Sequence, residues 1–277
     1  MNKEILIDKL AREHSLTSDE YGVLIESATP SLADYAAAAA DKLRRKYYGT
    51  DVYIRGLIEV GNICRNDCLY CGIRASNKHC DRYLLTEEQI AECCREGYRL
   101  GFRTFVLQGG EGAFPIDAVC SVVSEIRKSY QDCAITLSLG EYPRDDYKRM
   151  FDSGADRYLL RHETADKDHY KKLHPSSMSF ENRRRCLYDL RDIGFQVGCG
   201  FMVGSPFQTV ETLVKDLKFI EEFKPDMCGI GPFIPHKDTP FYGYPPGSAS
   251  LTVFLLSLIR LIKPNILLPA TTALGSI

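Results

Sequence analysis

The sequence predicts an α/β fold: a TIM-type (β/α) barrel of about seven β/α units behind an N-terminal helical extension. Three observations carry this. Short β-branched runs alternate with amphipathic segments from residue 52 onward. The amphipathic segments open on good capping residues. The chemically unusual residues fall just after the predicted strands, which is where barrels of this kind place their active sites.

The elements follow in order. Residues 3 to 48 read as helical; Ser31-Leu32-Ala33-Asp34 opens a helix after Pro30, and Gly49 closes it. The run Ala36 to Ala40 lies inside that pattern and adds helix propensity. Strands are expected over 52–60, 103–108, 134–139, 157–161, 196–203, 227–233 and 266–270. Between them, Thr86 and Gln89 form a capping-box signature before Ile90, and Ser179 precedes the helix carrying Arg183. Thr209 precedes a helix over 210–223 that stops before Pro225. The chain therefore divides into a helical extension over 1–50 and a barrel over 51–277. A full barrel takes eight strands. Because the chain ends just after the seventh, the barrel is expected to be C-terminally shortened, with two exposed sheet edges.

With 277 residues, 44% of them hydrophobic and 26% charged, the chain has the make-up of an ordinary globular protein. A formal net charge of -2 and a pI near 6.3 suggest neither a nucleic-acid nor a membrane-surface partner. The first ten residues carry four charges and lack the apolar core of a signal peptide. The most apolar late stretch, 251–262, is broken by Arg260 and is shorter than the roughly 20 residues a membrane span takes. A cytoplasmic protein is the expectation.

Eleven cysteines in such a chain point to metal ligands plus reduced core thiols. Cys93, Cys94, Cys120, Cys186, Cys199 and Cys228 lie at helical or strand positions beside apolar residues and read as small core hydrophobes. Cys64, Cys68 and Cys71 differ. They share one tight loop directly after the first strand, and three thiolates can hold three corners of an iron–sulfur cube. A fourth would close the cluster as an electron carrier; three leave one iron open to a ligand. Tyr70, just before the last cysteine, is placed to cover the cluster and one side of whatever binds there. The alternative is a structural zinc site completed by His79 or Cys80.

The spacing Cys64-x-x-x-Cys68-x-Tyr70-Cys71 resembles the cluster motif of radical S-adenosylmethionine (SAM) enzymes. Longer strings narrow the likeness: Leu137-Ser138-Leu139-Gly140-Glu141, Tyr158 to Ala165, Ser179 to Arg183, Ile230 to Pro240 and Pro269 to Ala273 resemble the HydE-type FeFe-hydrogenase maturases. Methylornithine synthase and biotin synthase are related barrels. The resemblance runs from about Asp51 to the end. It implies a 4Fe-4S cluster and SAM as cofactors, with the cofactor cleaved to a 5′-deoxyadenosyl radical. It also implies that Gln108, Gly109 and Gly110 form the turn beside the cofactor's methionine amino group, and that Ser138, Glu163 and Arg183 hold the cofactor. Arg55, Arg161, Thr271 and Thr272 match positions lining an anion-binding cavity for a small iron–carbonyl–cyanide–cysteine complex. An electron donor and other hydrogenase maturases are the implied partners.

Each assignment has a plainer reading. Arg183 could be a solvated charge beside Arg184 and Arg185, and Glu163 a carboxylate favoured at a helix N-terminus. Arg55 could sit at the barrel bottom, and the two threonines could be β-branched strand residues. A cluster-carrying scaffold without radical chemistry is the alternative from another functional class. Two local departures from the family's pattern stand out: Gly109-Gly110-Glu111-Gly112 in place of a turn with an early serine and a late acid, and Phe207 in place of a glycine.

Overall fold

The computed structural model of the chain describes residues 3–275, so the extreme ends of both predicted divisions, at 1–2 and 276–277, lie outside it. Three helices come first: α1 (Glu4–Glu13), α2 (Ser18–Glu26) and α3 (Pro30–Tyr48). Thr29 caps α3 with Pro30 in its first turn, where a missing N–H costs nothing, and Gly49 closes it as expected. The helical extension is not a separate layer. Helix α3 packs on the apolar helix α10 (Ala249–Ile262), and α2 packs on α9 (Val210–Phe223). Leu6, Ile7, Leu10, Tyr21 and Leu24 belong to the same hydrophobic core as the sheet.

The sheet is built from β1 (Gly56–Gly61), β2 (Thr104–Gly109), β3 (Ala134–Ser138), β4 (Arg157–Leu159), β5 (Gln196–Cys199) and β7 (Met227–Cys228), all parallel and in that order. The connecting helices are α4 (Glu87–Arg99), α5 (Ile116–Ser129), α6 (Arg144–Asp152), α7 (Lys167–Leu173), α8 (Phe180–Ile193) and α9. Capping is as expected at Thr86, Ser179 and Thr209, each of which accepts a backbone N–H three residues on.

Four expectations need correcting. The first strand starts at Gly56, not at 52; Val52, Tyr53 and Ile54 are exposed and have no neighbouring strand to pair with. The strands expected at 196–203 and 227–233 each break in two, leaving a second parallel pair, β6 (Met202–Val203) with β8 (Gly231–Pro232). The break falls where the backbones of Gly200 and Gly229 meet so closely that a Cβ on Gly200 would lie 2.0 Å from the Gly229 carbonyl oxygen. The strand expected at 266–270 is a single bridge, Leu267 to Met227, because Pro269 has no N–H to donate and α11 (Thr272–Gly275) follows at once. Cys93 is exposed, unlike its buried neighbour Cys94. Among the described residues the barrel is therefore open, with β1 at one edge. No helix among them is long and apolar enough to cross a membrane.

Candidate functional site

The loop carrying Cys64, Cys68 and Cys71 leaves the C-terminal end of β1 and is pinned on several sides. The turn after β2 lies against it: Gly110 N–H donates to Gly61 at 3.0 Å, and Arg65 N–H donates to the Glu111 carbonyl at 2.9 Å. Only glycine fits at 110, since a Cβ there would sit 1.9 Å from the Ile63 carbonyl oxygen and 2.9 Å from Cys64 Cβ. Asp67 and Arg74 pair at 2.6 Å, and that guanidinium holds the Asp67 carboxyl well below the usual range. Arg82 donates to the carbonyls of Asn62, Ile73, Arg74 and Asn77. Leu69 and Tyr70 pack on the small apolar cluster of Leu173, Met202, Phe233 and Phe241.

The three thiols are half-buried and free. Burial, with Cys71 close by, pushes the Cys68 thiol up to about 12, and burial raises Cys71 as well. Ligation by iron must therefore displace protons. Among the described residues, no three His, Cys, Asp or Glu side chains are gathered closely enough to hold one metal ion. Cys80 instead accepts from Asn62 Nδ2 at 3.4 Å.

Tyr70 points its hydroxyl at His174 Nε2, 3.1 Å away, and its ring meets the imidazole edge-on. His174 Nδ1 is bonded to the Tyr170 carbonyl at 2.9 Å, so it carries the proton and Nε2 accepts from Tyr70. Burial lowers the His174 pKa to about 3 and keeps the ring neutral. Tyr70 is thereby fixed against the loop.

Charged side chains from the ends of β2, β3 and β4 and from the start of α8 stand beside this loop. Arg183, in the first turn of α8, is buried rather than solvated. Its Nε lies 2.6 Å from Glu141 Oε1, its Nη2 4.0 Å from Glu111 Oε2, and its Nη1 donates to the Arg161 carbonyl at 3.2 Å. Burial opposes its charge, but Glu141, Tyr170 and Glu111 outweigh it and raise the guanidinium pKa. Glu111 also receives Arg65 at 2.9 and 3.0 Å and the Glu141 N–H at 2.9 Å. Arg161 Nη2 and Glu163 Oε2 meet at 3.1 Å. These close ion pairs are poorly aligned. Arg183 Nε, Glu141 Oε1, Arg161 Nε and Nη2, and Glu163 Oε2 are all buried without a hydrogen-bond partner. Buried charged atoms left in that state are expensive and suit a ligand that completes them.

The other expected residues are placed as follows. Gln108 and Ser138 are half-buried register partners at the ends of β2 and β3, and Gly109 closes β2. Glu163 stands at φ +65°, outside any helix; α7 begins at Lys167 and is capped by Asp166. Thr271 donates to the Ile230 carbonyl at 3.2 Å and lies against Gly231 of β8. Thr272 is exposed and opens α11. Arg55 precedes β1, at the opposite end of that strand from the cysteines; burial and the nearby Arg157 lower its pKa. Sequence reasoning noticed Glu111 in the turn after the second strand but gave it no role of its own, and it passed over Glu141, which follows Gly140 directly after a predicted strand, where the strand-end rule would have found it. Nothing in the local sequence marks the bracing roles of Arg74, Arg82 and His174, which depend on contacts made by folding.

Comparison with known proteins adds an independent line. A model described as "Radical SAM superfamily" matches residues 58–220. The chain is 48% identical over 239 residues to the [FeFe] hydrogenase maturase subunit HydE of Thermotoga maritima, covering 86% of this chain and 68% of that one. It is 25% identical over 272 residues to 3-methylornithine synthase of Methanosarcina acetivorans, covering 98% and 77%. Its structure resembles the crystal structure of methylornithine synthase (PylB), with a TM-score of 0.88 and 26% identity over 96% of this chain and 78% of that one. It also shares the fold of the maturase HydG, with a TM-score of 0.82 over 96% and 62% of the two chains.

Proposed function

The chain belongs to the radical SAM superfamily, and from that premise we propose that it acts as a HydE-like maturase in assembly of the FeFe-hydrogenase di-iron subcluster. The observation that carries the reading is the pairing of one three-cysteine loop with a ring of buried, hydrogen-bond-deficient charges from Arg183, Glu141, Arg161 and Glu163. The cofactors that the family uses supply the hard chemistry: an electron from a 4Fe-4S cluster cleaves the SAM sulfonium to methionine and a 5′-deoxyadenosyl radical.

The chain's own residues bind, orient and exclude water. Cys64, Cys68 and Cys71 would hold the cluster, and the turn of Gln108, Gly109 and Gly110 braces the loop, Gly110 N–H donating to the Gly61 carbonyl. Arg183 offers its fork to the methionine carboxylate. Glu163 accepts from the ammonium or a ribose hydroxyl, Ser138 adds a hydroxyl, and Tyr70, held by His174, covers one side. Arg161, Thr271 and Thr272 supply positive charge and hydroxyls to an anionic substrate, whereas Arg55, before the start of β1 and near Arg157, stands at the far end of the strand from the cysteines. The iron–carbonyl–cyanide–cysteine complex made by a partner maturase fits that chemistry. An external donor provides the electron.

The test is anaerobic reconstitution with iron and sulfide, then SAM and dithionite. Methionine and 5′-deoxyadenosine are expected, and Cys64→Ser removes both. A reconstituted cluster whose electron paramagnetic resonance (EPR) signal ignores SAM, with no deoxyadenosine formed, would overturn the reading in favour of a cluster-carrying scaffold. The likeness to methylornithine synthase supports a second reading, a lysine mutase. Supplying lysine and the iron–cysteine complex in parallel decides between them by which one is consumed.

A further inference from the structure

The turn that carries Arg161 and Glu163 sends its side chains two ways. Arg161 and Glu163 meet on the side of the cysteine loop. His162 and Thr164 go the other way, into the helix layer, and both are buried. Thr164 meets His169 of α7 at 3.1 Å, and His169 reaches the Pro206 carbonyl at 3.0 Å. His162 packs against Phe219 of α9 and places Nε2 3.2 Å from Oδ1 of Asp216, a fully buried carboxyl on the same helix.

The hydrogen bonds of this pair all lead to the backbone around Glu163. Asp216 Oδ1 also accepts the Ala165 N–H at 2.5 Å. His162 Nδ1 accepts the Gly200 N–H at 3.3 Å, which leaves the ring proton on Nε2 for Asp216. The Gly200 carbonyl in turn accepts the Glu163 N–H at 3.0 Å. Glu163 sits at the centre at φ +65°, a conformation that L-residues other than glycine avoid and that persists only where surroundings over-determine it. The pair is also incomplete, since Asp216 Oδ2 is buried with no hydrogen-bond partner. Apolar residues would stabilise this layer at least as well as a half-satisfied Asp–His pair. What the pair adds is direction.

We propose that His162 and Asp216 are positioning residues, a buried dyad that holds Glu163 in its left-handed conformation and so aims its carboxylate at the cofactor. The dyad rests on the reading of Glu163 as a SAM contact. Burial keeps the imidazole uncharged, with a pKa lowered to about 3, and raises that of Asp216.

The experiment measures SAM affinity of the reconstituted enzyme from the change that SAM causes in the EPR signal of the reduced cluster. Asp216→Asn and His162→Gln keep volume and one hydrogen bond each; both are expected to weaken SAM binding about tenfold with iron and sulfide content unchanged. Glu163→Ala is expected to weaken it at least as much. In the Glu163→Ala background, Asp216→Asn should add nothing, because both changes remove one coupled contribution. Wild-type affinity in both dyad variants overturns the proposal. So does equal weakening by Asp216→Asn with and without Glu163, which would mean a general structural role. Wild-type affinity in Glu163→Ala alone overturns the reading of Glu163 itself, and the dyad falls with it.

Discussion

Phe207 stands where the family's pattern has a glycine, and it adopts φ +66°, the left-handed conformation that a glycine would take freely. Its ring recovers part of the cost through edge-on contacts with Phe241 and Tyr244 and a 5.4 Å approach from Lys172. Truncation should separate the two effects. Phe207→Ala loses the ring contacts and keeps the strain, whereas Phe207→Gly loses the contacts and relieves it. Glycine should therefore be the more stable of the two by about 1 kcal/mol in urea denaturation, the reverse of the ordinary order. Alanine equal to or better than glycine would show that the backbone there is unstrained. Individual residues were legible in sequence where type and spacing carry the chemistry, as for Cys64, Cys68 and Cys71. Where a role is set by a distant partner, type and spacing alone were not enough: the resemblance singled out Arg183, which otherwise reads as one of three consecutive arginines until the fold buries it against Glu141.

Elements were legible where local rules act alone. Thr86, Ser179 and Thr209 each cap the helix expected of them, because capping is settled within four residues. The reciprocal bonds of Thr86 and Gln89, at 3.2 and 2.9 Å, make the cap of α4 testable. Thr86→Ala should lower stability by about 1 kcal/mol without altering cluster uptake, as measured by denaturation and iron content. A loss of iron with no change in stability would contradict that view of Thr86. Strand limits were less legible. Val52 to Ile54 have strand chemistry and no partner, while the stretch at 266–270 pairs through Leu267 alone. A strand exists only where a neighbour supplies hydrogen bonds, and that neighbour is remote in sequence.

Taken whole, the molecule buries three histidines, His162, His169 and His174, and burial lowers the pKa of each. His174 is held neutral by burial, with a folded pKa of about 3 against the ordinary 6.5. Between those values the unfolded chain takes up a proton that the folded chain refuses. Stability is thus full above about pH 6.5 and declines toward pH 3, by up to about 1.4 kcal/mol per pH unit. His169 is shifted in the same direction by burial and adds to the slope. His162 is lowered by burial as well, while burial raises Asp216 beside it, a shift of the opposite sign for the pH dependence. Denaturation curves from pH 7 to pH 4.5 should show declining stability, with a shallower decline in His174→Gln. An unchanged slope in that variant would show that His174 is not the group responsible.

The sequence by itself determined the superfamily, the three-cysteine loop, the alternating β/α order and the helix starts, because each depends on residue type at short spacing. Only the tertiary structure decided which charges surround the cysteine loop and where the sheet breaks, at Gly200 and Gly229. Those features arise from groups remote in the chain that are buried together. Burial converts an arginine, a glutamate or a histidine from a solvated side chain into a fixed partner whose unmet hydrogen bonds have an energetic cost.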